Sequence, residues 1–256
     1  MEDLQSYALR NIKAQDASTS TFENSTDSDN SHTKRSLYSL CVNVIDVVNH
    51  ILVIYMTVFL LFYTAGSMSV MDLHVSLCTV GYVLLMSESI VILAGESFLT
   101  KFLTRRAKSH VHWILQLVGL ICIIVGVVVM YNVRKFHFRS IHAILGISSL
   151  AIMIFVTIFG YPVFVAAKLR KYIRPVTIKF GHNFLGIASF VIGMASQCYG
   201  YRYNWLAKVS HVPHVQLMSI IVTSLITVFS LRGALVSLYK QSVSDRGILN
   251  FGRLCA

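Results

Sequence analysis

Six apolar stretches, each about as long as a bilayer core is thick, leave this chain few folds to adopt. They fall at residues 43–65, 70–94, 111–131, 140–166, 180–200 and 213–237. A helix rises about 1.5 Å per residue, so about 20 apolar residues cross a hydrocarbon core of about 30 Å. Inside lipid every backbone polar group must be satisfied within the fold, which leaves helices or closed barrels. Barrel strands alternate in polarity, whereas these stretches are continuous. The expectation is an all-α integral membrane protein with six transmembrane helices. Only 13% of residues are charged, against about 25% in a typical soluble domain.

The polar remainder is short. Residues 1–37, rich in Ser, Thr, Asp and Asn, cannot bury enough apolar surface to order themselves and are predicted to form a disordered cytosolic tail. They lack the basic and apolar stretch of a signal peptide. Residues 38–240 are the expected membrane domain, and 241–256 a second cytosolic tail. Lys and Arg decide the orientation. The 2–3 and 4–5 loops hold nine (Lys101, Arg105, Arg106, Lys108; Lys168, Arg170, Lys171, Arg174, Lys179) and the opposite loops five (Arg134, Lys135, Arg139; Arg202, Lys208). The positive-inside rule then places both termini in the cytosol. The same location of charge explains the net +11 and argues against nucleic acid as a partner. The five cysteines stand singly, with no CxxC and no CxxCH for covalent haem attachment.

Four histidines each open a consecutive apolar stretch: His74, His112, His142 and His182. The first two share the frame His-x-x-Leu-x-x-Val-Gly, and the last two share His-x-x-Leu-Gly-Ile-x-Ser. An ionisable residue in a lipid-spanning helix is costly and marks a functional site by default. With the predicted topology, segments 2 and 4 enter from the non-cytosolic face and segments 3 and 5 from the cytosolic face. His74 and His142 then share one depth, His112 and His182 another. The two layers lie about 20 Å apart, which excludes one metal ion held by all four. Paired imidazoles on facing helices suit haem iron, and two such pairs suit a central bundle of segments 2–5 that transfers electrons. Gly146 and Gly186 stand four residues after their histidines, Gly81 and Gly119 seven after. They are read as space beside the ligand for a planar cofactor, against the plainer reading that small residues let helices approach.

Other histidines weigh less. His214 opens segment 6 but finds no partner at its depth. His50 follows Asp46 by one turn, and a local hydrogen bond is expected. His137, with Lys135 in the basic 3–4 loop, is a candidate for binding an anionic or ferric acceptor. Arg105, Arg106 and Lys108, with Arg170, Lys171 and Arg174, form a cationic cytosolic rim that would concentrate an anionic donor.

Several stretches resemble a known family. Leu73-His74-Val75, Leu85-Met86-Ser87-Glu88-Ser89, Gly95-Glu96-Ser97 and His112-Trp113-Ile114-Leu115-Gln116-Leu117, with 38 residues between the first two histidines, are similar to the cytochrome b561 family of transmembrane di-haem oxidoreductases. The resemblance covers residues 45–240 and is closest to a short, ascorbate-dependent ferrireductase branch. It implies two non-covalent haem b groups with His74, His112, His142 and His182 as axial ligands. It further implies cytosolic ascorbate as donor, ferric iron or monodehydroascorbate as acceptor, a homodimer, and residence in an endomembrane (endoplasmic reticulum or vesicles) or the plasma membrane. Two motifs of the ascorbate-type members are missing: the basic motif ending the second helix and an outer Ser-Leu-His-Ser-Trp. Arg105 matches a basic position seven residues before the third-helix histidine. Two other readings remain at this stage. One keeps the di-haem core with a quinone or protein partner, and the other is a metal or proton transporter with a histidine relay.

Overall fold

The computed structural model describes residues 36–66, 69–93, 100, 102–160, 171 and 174–254, with side chains to residue 244. The predicted N-terminal tail to residue 35, and Lys101, Lys168 and Arg170, lie outside the described residues. The chain divides into two compact units, Met1–Val44 and Ile45–Ala256. In the first, the described residues 36–44 are helical.

All regular structure among the described residues is helical. The helices are α1 (Ser36–Thr64), α2 (Val70–Leu93), α3 (Arg105–Val133), α4 (Ile141–Ile158), α5 (Pro175–Tyr201), the short α6 (Trp205–Ser210) and α7 (Val215–Leu254). Six of them, all but α6, are long and apolar enough to cross a membrane. The protein is a multi-pass membrane protein. Lipid-facing apolar side chains such as Phe62 (73% exposed) and Val228 (64% exposed) surround a core that includes Met56, Tyr82, Ile123, Met153, Met194 and Ile226.

The apolar runs gave the six helices, but capping chemistry set their ends. Ser69 opens α2 with a capping box: its hydroxyl accepts from the Asp72 N–H, and the Asp72 carboxylate accepts from the Ser69 N–H. Thr104 caps α3, which therefore begins six residues before the predicted 111. Ser140 caps α4. Pro175 stands in the first turn of α5, where its missing N–H costs nothing. The stretch predicted to 166 ends as helix at Ile158, and 161–170 are outside the described residues.

Two antiparallel hairpins, α2 with α3 and α4 with α5, form the central bundle. Each crosses at the residue seven positions after its histidines. In the first hairpin the crossing pair is Gly81 and Gly119. A Cβ on Gly81 would meet Ile123 at 2.5 Å and the Gly119 carbonyl at 3.0 Å, and one on Gly119 would meet the Gly81 carbonyl at 3.3 Å. In the second, Ser149 donates to the Ser189 carbonyl at 2.8 Å and Ser189 to the Ser149 carbonyl at 3.0 Å. The Tyr82 hydroxyl donates to Ser149 at 2.9 Å and ties the hairpins together. Gly193 leaves room for the Tyr82 ring, which a Cβ there would strike.

Polar contacts inside the spans bind α1 to its neighbours. Arg232 of α7 pairs with Asp46 at 2.9 Å, Asn49 donates to Ser230 at 3.1 Å, and His50 lies 2.8 Å from the Glu88 carboxylate. His50 therefore pairs with α2 and not with Asp46, whose carboxylate is taken by α7. Removing one partner of a buried pair strands the other charge. Asp46→Ala is expected to lower stability by about 3–5 kcal/mol. Asp46→Leu combined with Arg232→Leu should cost far less. Thermal unfolding in detergent measures both.

Candidate haem site

The hairpin crossings decide what each histidine meets. When antiparallel helices cross seven residues beyond a histidine on each, the group opposite that histidine lies fourteen residues beyond its counterpart. His74 Nδ1 donates to the carbonyl of Gly126, fourteen positions after His112, at 2.8 Å. His142 Nδ1 donates to the carbonyl of Ser196, fourteen positions after His182, at 2.8 Å. His112 Nδ1 donates to the carbonyl of Ser89, also at 2.8 Å, but Ser89 is fifteen positions after His74. The extra residue is absorbed by a π-helical segment, Thr79–Met86, in the middle of α2. A wide turn of this kind adds a residue without disturbing the helix on either side, and such turns cluster at functional sites.

These contacts fix the chemistry of the rings. An imidazole that donates through Nδ1 keeps a free lone pair on Nε2, the arrangement used by metal-ligating histidines. Among the described residues nothing bonds to Nε2 of these three. His74 and His142 stand with ring centres 6.0 Å apart and planes at 90°. With metal–imidazole bonds of about 2 Å on each side, two rings sharing one metal ion have centres roughly 6 Å apart. His182 lies within electrostatic reach of His112 and makes no hydrogen bond among the described residues. Its counterpart carbonyl by the same rule is that of Val156. The pairs are those expected from topology, and fourteen residues separate their layers by about 21 Å.

Among the described residues no group of three or more His, Cys, Asp or Glu side chains converges as metal ligands. Two imidazoles are too few for a bare ion, which takes three or four protein ligands. They suffice for iron whose remaining ligands come from a macrocycle.

The glycines divide. The space at Gly81 and Gly119 is filled by the opposite helix, so their expected role beside a cofactor is corrected to helix contact. A Cβ at Gly146 would meet only Ser196, at 3.2 Å, and one at Gly186 nothing within 4 Å. Two glycines were missed. Gly200 lies against His142, where a Cβ would meet Cε1 at 3.2 Å, and Gly160 lies against His182, where the distance is 3.5 Å. Each stands 18 positions after a histidine of the second frame, and that spacing could have revealed them.

The remaining predicted residues lie around the two ends. Arg105 and Arg106 are exposed in the first turn of α3, whereas Lys108 is buried. Lys135 is exposed, and His137 is half-buried with its ring stacked 3.9 Å from that of Tyr131. Arg134 lies within electrostatic reach of His74, and the Tyr203 ring stands edge-on to His142 at 6.1 Å. Neither had been singled out. His214 is exposed, with a left-handed φ of 55°, and precedes α7 outside both pairs.

The family description for eukaryotic cytochrome b561 matches residues 73–208. The chain belongs to the cytochrome b561 family. It is 22% identical over 217 residues to the bovine (Bos taurus) transmembrane reductase CYB561D2, covering 82% of this chain and 96% of the bovine protein. The mouse (Mus musculus) and human (Homo sapiens) proteins of that name are each 24% identical over 160 residues, covering 61% of this chain and 72% of each relative. No solved structure matches the chain. The family binds haem b, and the donor set fits it: paired imidazoles, three of the four oriented by backbone carbonyls, with small residues at Gly160 and Gly200 beside two of the rings. Gly200→Leu is expected to push His142 off the Ser196 carbonyl while leaving His112 in place. In protein labelled with ¹⁵N-histidine, the slowly exchanging Nδ1–H signal of His142 should disappear and that of His112 persist.

Proposed function

We propose that this protein carries single electrons across a membrane. It takes them from cytosolic ascorbate and passes them to a non-cytosolic acceptor such as ferric iron or monodehydroascorbate. The observation that carries the reading is the placement of two imidazole pairs at opposite ends of the same two hairpins, with three of the four rings oriented by backbone carbonyls. Two haem b groups, when bound, supply the one-electron chemistry. The CYB561D2 relatives are named transmembrane reductases, which agrees.

The chain's own residues define the rest. His112 and His182 form the inner pair, and His74 and His142 the outer pair. Haem iron bound by both histidines of a pair would have no open position for oxygen, which favours electron transfer over oxygen activation. The carbonyl contacts at Nδ1 hold the tautomer and raise the basicity of Nε2. Arg105 and Arg106 stand at the positive end of the α3 dipole, where cations are disfavoured. Helix stability therefore does not account for them; membrane orientation does, and attraction of an anionic donor gives them a second role. Lys108, Lys171 and Arg174 add to the same field. At the other end Arg134, Lys135 and His137 face the acceptor side, and Tyr203 covers the edge of His142. The positive charges at the donor end agree with both termini in the cytosol. A homodimer and an endomembrane or plasma-membrane site complete the reading.

The visible spectrum of purified protein tests it. Ascorbate should produce a sharp reduced b-type band, and His112→Ala should remove about half the haem. A band given by dithionite but not by ascorbate would overturn the donor. No band with either reductant would overturn the di-haem reading.

A further inference from the structure

The spans contain ionisable groups that electron transfer as described does not use. Asp46 and His50 stand one turn apart on one face of α1 and are 3% and 8% exposed. His50 Nδ1 contacts Glu88 of α2, and Asp46 contacts Arg232 of α7. Among the described residues, Glu88 and Asp46 are the charged groups that act on His50, and Arg232 reaches it only through Asp46. His50 Nε2 and Asp46 Oδ2 are buried and have no hydrogen-bond partner among the described residues.

Charges in lipid are expensive, and a buried ion pair seldom stabilises a fold more than apolar side chains would. Helix packing alone would be served as well by neutral groups, as Asn49 and Ser230 show. The position of Glu88 supplies the reason for ionisable ones. Its neighbour Ser89 offers the carbonyl that holds His112 Nδ1. Gln116, one turn after His112, donates to the Ser89 hydroxyl at 2.5 Å, so this segment is locked against the inner pair. Glu88 is thus the residue next to the one that holds His112, and a proton on the His50–Glu88 pair and an electron at the inner site attract through a poorly screened interior.

We propose that His50 and Glu88 form a proton-binding site that loads when the inner haem is reduced. The proposal rests on the di-haem reading above. Asp46 and Arg232 cancel each other's charge. The His50–Glu88 pair carries one negative charge when the imidazole is neutral and none after gaining a proton. With haem held by His112 and His182, its reduction by one electron from the donor would be accompanied by one proton passing from cytosolic water onto the pair. When the electron moves to the outer site, the proton returns. Charge within the low-dielectric span is thus balanced at each state. Glu88 lies five residues from the end of α2 at Leu93, so the proton crosses about one and a half turns.

Spectroelectrochemical titration of the full-length protein at several pH values tests this. The inner midpoint, identified in His74→Ala protein that retains only the inner pair, should fall as pH rises. The limit is about 59 mV for each tenfold drop in proton concentration when one proton accompanies one electron. Glu88→Gln and His50→Gln should keep both haems and flatten that dependence, leaving the outer midpoint unchanged. An inner midpoint independent of pH in the unaltered protein, or an equal slope in both variants, overturns the proposal. If neither variant folds, a pH-indicator dye reads proton uptake by the unaltered protein on rapid reduction. No uptake overturns the proposal too. Absence of haem from the unaltered protein would instead overturn the di-haem reading, so the two failures are distinguishable.

Discussion

A histidine ring inside lipid has two nitrogens to satisfy, and the hairpin crossings answer for one of them. The crossing at Gly81 with Gly119, and at Ser149 with Ser189, brings the start of each helix opposite the far part of its partner. A carbonyl already accepting one helical N–H still has a second lone pair. The Nδ1–H of His74, His112 and His142 takes that lone pair from Gly126, Ser89 and Ser196. The ring is then fixed, its Nε2 is left exposed to a ligand, and the pairing of histidines across the two hairpins follows. A crossing displaced by one residue would rotate each acceptor by about 100° around its helix.

The π-helical segment shows how strongly this constraint acts. Ser89 stands one position later in α2 than Gly126 does in α3 when each is counted from its histidine. An uninterrupted α-helix would present the Glu88 carbonyl to His112 and turn the Glu88 side chain away from α1. The wide turn takes up the extra residue beyond the crossing. It delivers the Ser89 carbonyl to α3 and the Glu88 carboxylate to His50. One irregularity in one helix thus serves two neighbours.

Helix number and which histidines stand near each other were legible in the sequence because they depend on hydropathy and on end-to-end alternation of antiparallel spans. The glycines were only half legible. Seven-residue spacing marks Gly81 and Gly119 as lying on the histidine face, but spacing cannot distinguish a face that meets a cofactor from one that meets a helix. The crossing geometry makes that distinction. The carbonyl acceptors had no side-chain signature at all. His50 was misread because sequence neighbours such as Asp46 compete poorly with partners on adjacent helices when both sit on a contact face. Arg232 had no polar neighbour in sequence to mark it, and its partner stands 186 positions away.

The two hairpins repeat each other closely, yet the molecule has different ends. His74 and His142 stand within the first two turns of their helices, while His112 and His182 stand seven residues beyond Arg105 and Pro175. Those two additional turns carry Arg105, Arg106, Lys108 and Lys179 ahead of one pair. Ahead of the other pair are short caps, the basic Arg134 and Lys135, and the aromatic residues Tyr131, His137 and Tyr203. Near-symmetric histidine pairs do not by themselves favour either direction of electron flow. Direction must come from groups outside the repeat: a cationic approach at one end, and beside it the buried charges of α1, α2 and α7. The helices outside the two hairpins therefore add to the asymmetry. That gives α1 and α7 a physical role beyond enclosing the bundle.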